Sequence, residues 1–398
     1  MRDETKYVAG PSASSAGFEA VSTAVHRAST VVFPGLEAFE ARGTQFYDGY
    51  AYGLYGTPTT RTLEARLAVL DGGTRAIVVP SGMAAISLVS LAVARPGHRV
   101  LMPECMYGPA RDMALRFLAA FGIAVTLYDP RLTPTAAQLK EASLVWVESP
   151  GSVTLEVQDV LAIVKAAHAA GALVAADNTW ATPLLFKPLV HGCDFAMQAL
   201  SKYASGHGDV LMGSVVVRDE AHYRLLKDTA RFLGYGVSGD DCALTLRGLA
   251  TMPLRLRQSE TTAKALMTWL AQQHAVESIL HPSLPNHPGH AIWLRDFAGG
   301  VGVFSLILKP VVREKLIAAF DAFQVFKIGA SWGGVGSLLA PSDPRQGRIT
   351  LDWLPDGQLI RVSIGLEHLD DLVADFERAF AVLTTSRSKR RPNDQAAE

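Results

Sequence analysis

Apolar residues recur at helical spacing over 62–71, where Leu63, Leu67 and Leu70 share one face. The apolar run at 77–80 predicts a short buried strand, and Ser81, a natural N-cap, then opens an apolar helix running to residue 94. Strands are predicted at 99–103 and 123–128 around a helix over 109–121, and another at 144–148. A helix over 157–170 is ended by Gly171, and the runs at Leu173, Phe195 and 213–217 read as further strands. Strands alternating with helices imply an α/β fold with a mostly parallel sheet covered on both faces. After about residue 251 the pattern changes. A long helix is predicted over 257–274, Pro-rich turns over 281–290, and strand-like runs at 301–308 and 359–364 among further helices.

These shifts predict four parts: an extended arm over 1–61, an α/β domain over 62–250, a smaller α+β domain over 251–385, and a disordered tail over 386–398. The arm is rich in Gly, Ser, Thr and Tyr with little periodicity, as in segments that pack on a neighbouring subunit. The basic run at Lys389, Arg390 and Arg391 reads as a solvated end rather than a nucleic-acid contact.

Composition narrows the function classes. Of 398 residues, 49% are apolar and 19% charged, which marks a globular chain with ample core. The net charge of −1 gives no electrostatic reason for a nucleic-acid or anionic membrane partner. Cys105, Cys193 and Cys242 lack CxxC spacing, and His168, His191 and His207 are scattered, so neither a metal site nor a disulfide framework is expected. The N-terminus has no signal-peptide core, and Arg95, Gly97 and His98 interrupt the best membrane-span candidate, so a cytoplasmic location is expected.

The chemistry centres on Lys202, which follows the apolar run ending at Leu200. Desolvation at the end of a buried strand opposes the ammonium charge and leaves a nucleophilic amine, as a Schiff-base lysine requires. Asp177 ends the preceding strand. An acid and a lysine on successive strand ends suit pyridoxal phosphate, with the aldehyde carbon on the lysine and the pyridinium nitrogen on the acid. Ser81-Gly82-Met83, between strand and helix, is able to hold a phosphate, although on this motif alone an ordinary capped turn is the preferred reading. Ser201 stands next to Lys202 and offers a hydroxyl to the same phosphate. Tyr107 is a candidate to stack on a flat ring, against the plainer reading of core packing. Arg361 interrupts an apolar strand; its fork matches a substrate carboxylate, with a structural salt bridge as the rival. Gly333-Gly334-Val335-Gly336 lacks the strand-then-helix context of a dinucleotide loop, and no Gly-x-Ser-x-Gly elbow is present.

Several stretches together resemble the Cys/Met-metabolism family of pyridoxal-phosphate enzymes, from about residue 18 to 383. They are Tyr52-Gly53-Leu54-Tyr55-Gly56-Thr57, Ser81-Gly82-Met83-Ala84-Ala85, Glu148-Ser149-Pro150-Gly151-Ser152, Asp177-Asn178-Thr179-Trp180, Ser201-Lys202-Tyr203 and Ser331-Trp332-Gly333-Gly334. The resemblance implies fold type I, a homotetramer built as a dimer of dimers, and pyridoxal 5'-phosphate as cofactor. It implies Lys202 as the Schiff-base lysine, Asp177 as partner of the ring nitrogen and Tyr107 stacked on the ring. Gly82, Met83 and Ser201 would hold the phosphate, joined by Tyr52 of a neighbouring subunit, while Arg361 would take the substrate carboxylate with Ser331 and Trp332 beside it.

Tryptophan at 180 and 332 resembles the branch that cleaves L-cystathionine by β-elimination to homocysteine, pyruvate and ammonia. A γ-acting relative, a broader cysteine-S-conjugate β-lyase and a non-catalytic binding protein are the alternatives. One departure stands out. The family's Tyr-x-Arg phosphate motif appears as Tyr52-Gly53-Leu54, without its arginine. Arg61 is a candidate substitute, against the plainer reading of a surface residue at a helix start.

Overall fold

Seven strands build the larger sheet: β1 (Arg75–Val79), β2 (Arg99–Pro103), β3 (Ala124–Tyr128), β4 (Ala142–Glu148), β5 (Leu173–Asp177), β6 (Phe195–Ala199) and β7 (Gly213–Val217). The computed structural model describes residues 1–9, 21–345, 347–348 and 350–384, so the expected disordered tail over 386–398 lies outside the described residues. The spatial order is β1-β7-β6-β5-β4-β2-β3, parallel throughout except for β7, which runs antiparallel to both neighbours. The expected mostly parallel α/β sheet is therefore present.

The alternation along β4 explains how the sheet is covered. Val145 and Val147 face one core with Leu63, Leu67 and Val174, while Leu144 and Trp146 face the other with Ile86, Leu88 and Phe195. A strand with apolar side chains on both faces is stable only under helices on both sides. Since β4, β5 and β6 run in parallel, their C-terminal ends share one edge, where open α/β sheets bind ligands.

The second sheet has the order β10-β11-β12-β9-β8, from β8 (Val276–Leu280), β9 (Val303–Leu308), β10 (Lys327–Ile328), β11 (Leu338–Ser342) and β12 (Gln358–Ser363). Only β10 and β11 pair in parallel. Phe304, Leu306, Ile360 and Val362 pack there against Phe376 of the helix Leu369–Thr384.

Two helices differ from the sequence pattern. The segment expected as one helix over 109–121 is an α-helix at Gly108–Asp112 continued by a π-helix at Met113–Leu118. The helix expected over 257–274 begins at Gly239 and ends at Leu270, with Pro253 inside it. Its path near Pro253 is fixed by Arg255, which donates to the carbonyls of Gly248 (2.7 Å) and Tyr203 (2.8 Å). Gly248 lets the helix touch the loop after Lys202: a Cβ there would lie 2.3 Å from the carbonyl oxygens of both Ala204 and Ser205.

Candidate active site

The C-terminal ends of β4, β5 and β6 open onto a cavity of about 370 Å³ whose opposite wall comes from the second sheet and from residues 330–332. Gly82, Met83, Tyr107, Asp177, Ser201, Lys202, Trp332 and Arg361 all line it. Ser331 joins them through a hydrogen bond between its Oγ and Lys202 Nζ (2.7 Å).

Asp177 is the most constrained of these groups. Its Oδ1 accepts from the Thr179 hydroxyl (2.5 Å) and the Thr179 N–H (3.0 Å), which fixes the plane of the carboxylate at the strand end. The Thr179 hydroxyl accepts in turn from the Ala199 N–H on β6 (2.9 Å). Among the described residues Oδ2 accepts no hydrogen bond, and Asp177 lines the cavity. Directly beside Asp177 in the β4–β5 register stands Glu148. Its Oε2 accepts from the Tyr107 N–H (2.8 Å) and its Oε1 from the Ser152 hydroxyl (2.6 Å). Burial raises the pKa of both carboxyl groups, and the charge of Asp177 raises that of Glu148 further, so Glu148 is the one that retains a proton more readily.

Lys202 sits in the turn after β6. Its amine is lowered to about 8, first by burial and then by the Arg361 charge, with Asp177 working in the opposite sense. The ammonium also lies 5.5 Å from the centre of the Trp332 ring, which stands edge-on to Tyr203. Arg361 donates to the carbonyls of Ala330 (2.9 Å) and Ser331 (3.0 Å), so its guanidinium orders the segment that carries Ser331 and Trp332. No carboxylate pairs with it among the described residues, which removes the structural salt bridge as an explanation for a cation in an apolar strand.

At the other end of the cavity Ser81 caps the helix Gly82–Val93 by accepting from the Ala84 N–H (3.0 Å). The N–H groups of Gly82 and Met83 precede any intrahelical partner and are free for an anion. Gly82 is required there because a Cβ would sit 2.7 Å from the Cβ of Ala199.

Two expected residues lie elsewhere. Tyr52 is exposed on the arm, edge-on to Tyr55 at 6.4 Å, and does not line this cavity within its own chain. Arg61 is neither a surface residue nor a cavity cation. It is largely buried, paired with Glu64 (2.9 Å) and bonded to the Tyr223 hydroxyl (3.4 Å) and the Gly49 carbonyl (3.3 Å). Moving it to a phosphate would leave Glu64 buried against Lys227 alone, at 3.7 Å, so the substitution expected for Leu54 is corrected.

Glu148, Thr179, Val153, Leu155 and Ser305 are cavity residues to which the sequence reading gave no role. Val153 (φ 70°) and Leu155 (φ 60°) hold left-handed backbone conformations, which cost a side-chain-bearing residue roughly 1–2 kcal/mol each. The loop is held in that shape from outside: the Ser305 hydroxyl donates to the Val153 carbonyl, and Arg348 bonds the Thr154 hydroxyl (2.6 Å) and Glu156 (2.5 Å). Among the described residues no group of His, Cys, Asp and Glu could hold a metal ion, and no helix is long and apolar enough to cross a membrane.

Comparison with known proteins agrees with this geometry. A sequence profile described as Cys/Met metabolism PLP-dependent enzyme matches residues 4–381. The chain is 40% identical over 367 residues to the putative cystathionine beta-lyase of Rhizobium johnstonii, covering 91% of each chain. It is 36% identical to the L-alanine/L-glutamate racemase of Wolbachia pipientis wMel, covering 92% of this chain and 93% of the relative. Among solved structures, cystathionine gamma synthase from Xanthomonas oryzae pv. oryzae in complex with aminoacrylate and cysteine matches with a TM-score of 0.88 at 31% identity. That match covers 96% of this chain and 100% of the other.

The Lys202 environment gives a direct test. Amine-selective labelling of the ligand-free protein, read at the Lys202 peptide by mass spectrometry, should reach half-maximum near pH 8. An ordinary lysine does so near about pH 10.4. Arg361→Gln removes a nearby positive charge and should move the midpoint upward; a wild-type midpoint near that of ordinary lysines would contradict the assignment.

Proposed function

The chain belongs to the Cys/Met metabolism PLP-dependent enzymes, and from that premise we propose that it is a carbon–sulfur lyase that eliminates the thiol from cysteine thioethers such as L-cystathionine. The cavity suits pyridoxal phosphate: the free Asp177 Oδ2 matches a ring N–H, the Lys202 amine an aldehyde, and the Gly82 and Met83 N–H groups, with the Ser201 hydroxyl, a phosphate. One observation carries the reading. A partly desolvated amine, Lys202, stands between the fixed carboxylate of Asp177 and the unpaired guanidinium of Arg361 on a single cavity.

Pyridoxal phosphate supplies, when bound, an aldehyde carbon for Lys202 and then for the substrate amine, and a conjugated ring that takes up the electron pair left at Cα. The chain's residues do the rest. Arg361 binds the α-carboxylate in its fork and so sets the orientation of Cα. Lys202, once released, takes the Cα proton. Burial keeps a useful fraction of its amine neutral near pH 8, and Ser331 Oγ directs it. Asp177 would face the ring nitrogen; burial raises its pKa, and the two donors from Thr179 and the Lys202 charge counter that and favour the carboxylate. Tyr107, held by Glu148 through its backbone N–H, would cover one face of the ring. The C–S bond then breaks, the sulfur leaves as thiol with a proton, and the released 2-aminoacrylate hydrolyses to pyruvate and ammonia. Trp180 and Trp332 both line the cavity, which favours the β-acting branch over a γ-acting one. Tyr52 reaches the phosphate of a neighbouring subunit, in a homotetramer of two such pairs.

Product analysis tests the reaction. Incubation with L-cystathionine should yield pyruvate and homocysteine; 2-oxobutyrate would instead identify a γ-acting enzyme, and D-alanine formed from L-alanine without pyruvate from any thioether would identify a racemase. The shared site predicts complementation: mixing subunits carrying Tyr52→Phe with subunits carrying Lys202→Ala should restore part of the activity. Hybrids no more active than either parent, with exchange verified, would contradict it.

A further inference from the structure

Glu148 is an acid buried without a counter-charge. It ends β4 at 7% exposure on the cavity wall, and no Lys, Arg or His pairs with it among the described residues. Its neighbour in register is a second carboxyl, Asp177, whose ionisation the Lys202 charge favours. An acid in such a place is costly, and its retention beside a cavity is a pointer to function.

The hydrogen bonds of Glu148 indicate which function. From behind, its backbone N–H donates to Gln158 Oε1 (2.8 Å), and the Gln158 amide donates to the Tyr128 hydroxyl (2.8 Å). The Gln158 N–H donates to Ser149 Oγ (2.9 Å), so the strand end is tied down. In front, Oε2 accepts from the Tyr107 N–H and Oε1 meets Ser152 Oγ at 2.6 Å, and both partners line the cavity. Ser152 returns to the Tyr107 loop through its own N–H, which donates to the Cys105 carbonyl (2.9 Å). Tyr107 is 45% exposed, so packing does little to hold its ring and the backbone bond to Glu148 sets its place. Burial and the Asp177 charge favour the protonated form of Glu148. A protonated acid serves both contacts, accepting from Tyr107 at one oxygen and donating to Ser152 Oγ from the other. It also adds no second negative charge beside Asp177.

We propose that Glu148 is a positioning residue: as an un-ionised acid it clamps the Tyr107 and Ser152 loops together and so fixes the plane of the cofactor ring against Asp177. The kinetic part of its test rests on the proposed lyase, whereas the spectroscopic part needs only the bound cofactor.

Glu148→Leu and Glu148→Gln holoenzymes, at matched cofactor content, are compared with wild type by visible circular dichroism of the cofactor and by pyruvate release from L-cystathionine. Leucine keeps the bulk but neither contact. It should weaken the cofactor band at least about twofold and lower kcat at least about tenfold, with KM changed less than about threefold. Glutamine accepts from the Tyr107 N–H and donates to Ser152 Oγ without ever ionising, so it should rescue both readouts to within about threefold of wild type. A wild-type band and kcat in Glu148→Leu overturn the clamp. Glutamine as impaired as leucine also overturns it, since an ionised carboxylate would then be the working form. Should Glu148→Leu take up no cofactor, Ser152→Ala removes one side of the clamp and should weaken the band by itself; an unchanged band there overturns the proposal. No pyruvate from the wild-type enzyme overturns the lyase reading, while the dichroism still decides the clamp.

Discussion

A buried carboxylate at the end of a strand is the constraint around which the rest of this site is arranged. Asp177 cannot stay ionised in an apolar sheet without compensation, because removing a charge from water is costly. Thr179 provides part of it locally, through two bonds to one oxygen. The Lys202 charge provides another part across the cavity. Among the described residues the second oxygen takes no hydrogen bond, and in the proposed function it would meet the cofactor ring. Glu148, next to it in register, sharpens the effect: two buried carboxyl groups side by side do not both ionise readily, and Glu148 is raised further by its neighbour.

The second domain completes what the parallel sheet begins. Arg361 comes from β12 and orders residues 330–331 through their carbonyls, and Ser331 then contacts Lys202. The same Arg361 charge lowers the Lys202 amine, so in the proposed mechanism one side chain would both orient the substrate and tune the base that acts on it. The helix Gly239–Leu270 ties these parts to the loop after Lys202 through Gly248 and Arg255. The loop carrying Val153 is held between Ser305 and Arg348, both from beyond that helix. A change in either anchor therefore reaches the cavity wall without touching a reacting atom.

Much of this was legible in the chain because burial leaves a period. The alternation along β4 and the apolar runs at β5 and β6 located the sheet, and charged residues closing such runs singled out Asp177 and Lys202. Glu148 closes a run in the same way, yet a lone acid at a strand end reads as a boundary until the register places it beside Asp177. Arg61 shows the opposite failure. Its closest partner, Glu64, stands only three positions on, but such a pair reads as a solvated helix start. The burial that commits the guanidinium involves Tyr223, 162 positions away in sequence. The helix across Pro253 was read short because the stabilising bonds from Arg255 run to a distant loop. The left-handed residues 153 and 155 carry no sequence signal, since valine and leucine are poor choices for that backbone.

The central claim is that Asp177 holds the protonated ring nitrogen and so makes removal of the Cα proton possible. It is tested most directly by Cα-hydrogen exchange, followed by NMR in D2O with a saturating amino-acid substrate, in the wild-type enzyme and in Asp177→Asn. A neutral amide keeps the size of the side chain but removes the charge. Loss of even one pKa unit of stabilisation corresponds to a factor of about ten, so exchange should slow at least tenfold while cofactor remains bound. Exchange at the wild-type rate in cofactor-loaded Asp177→Asn would contradict the account.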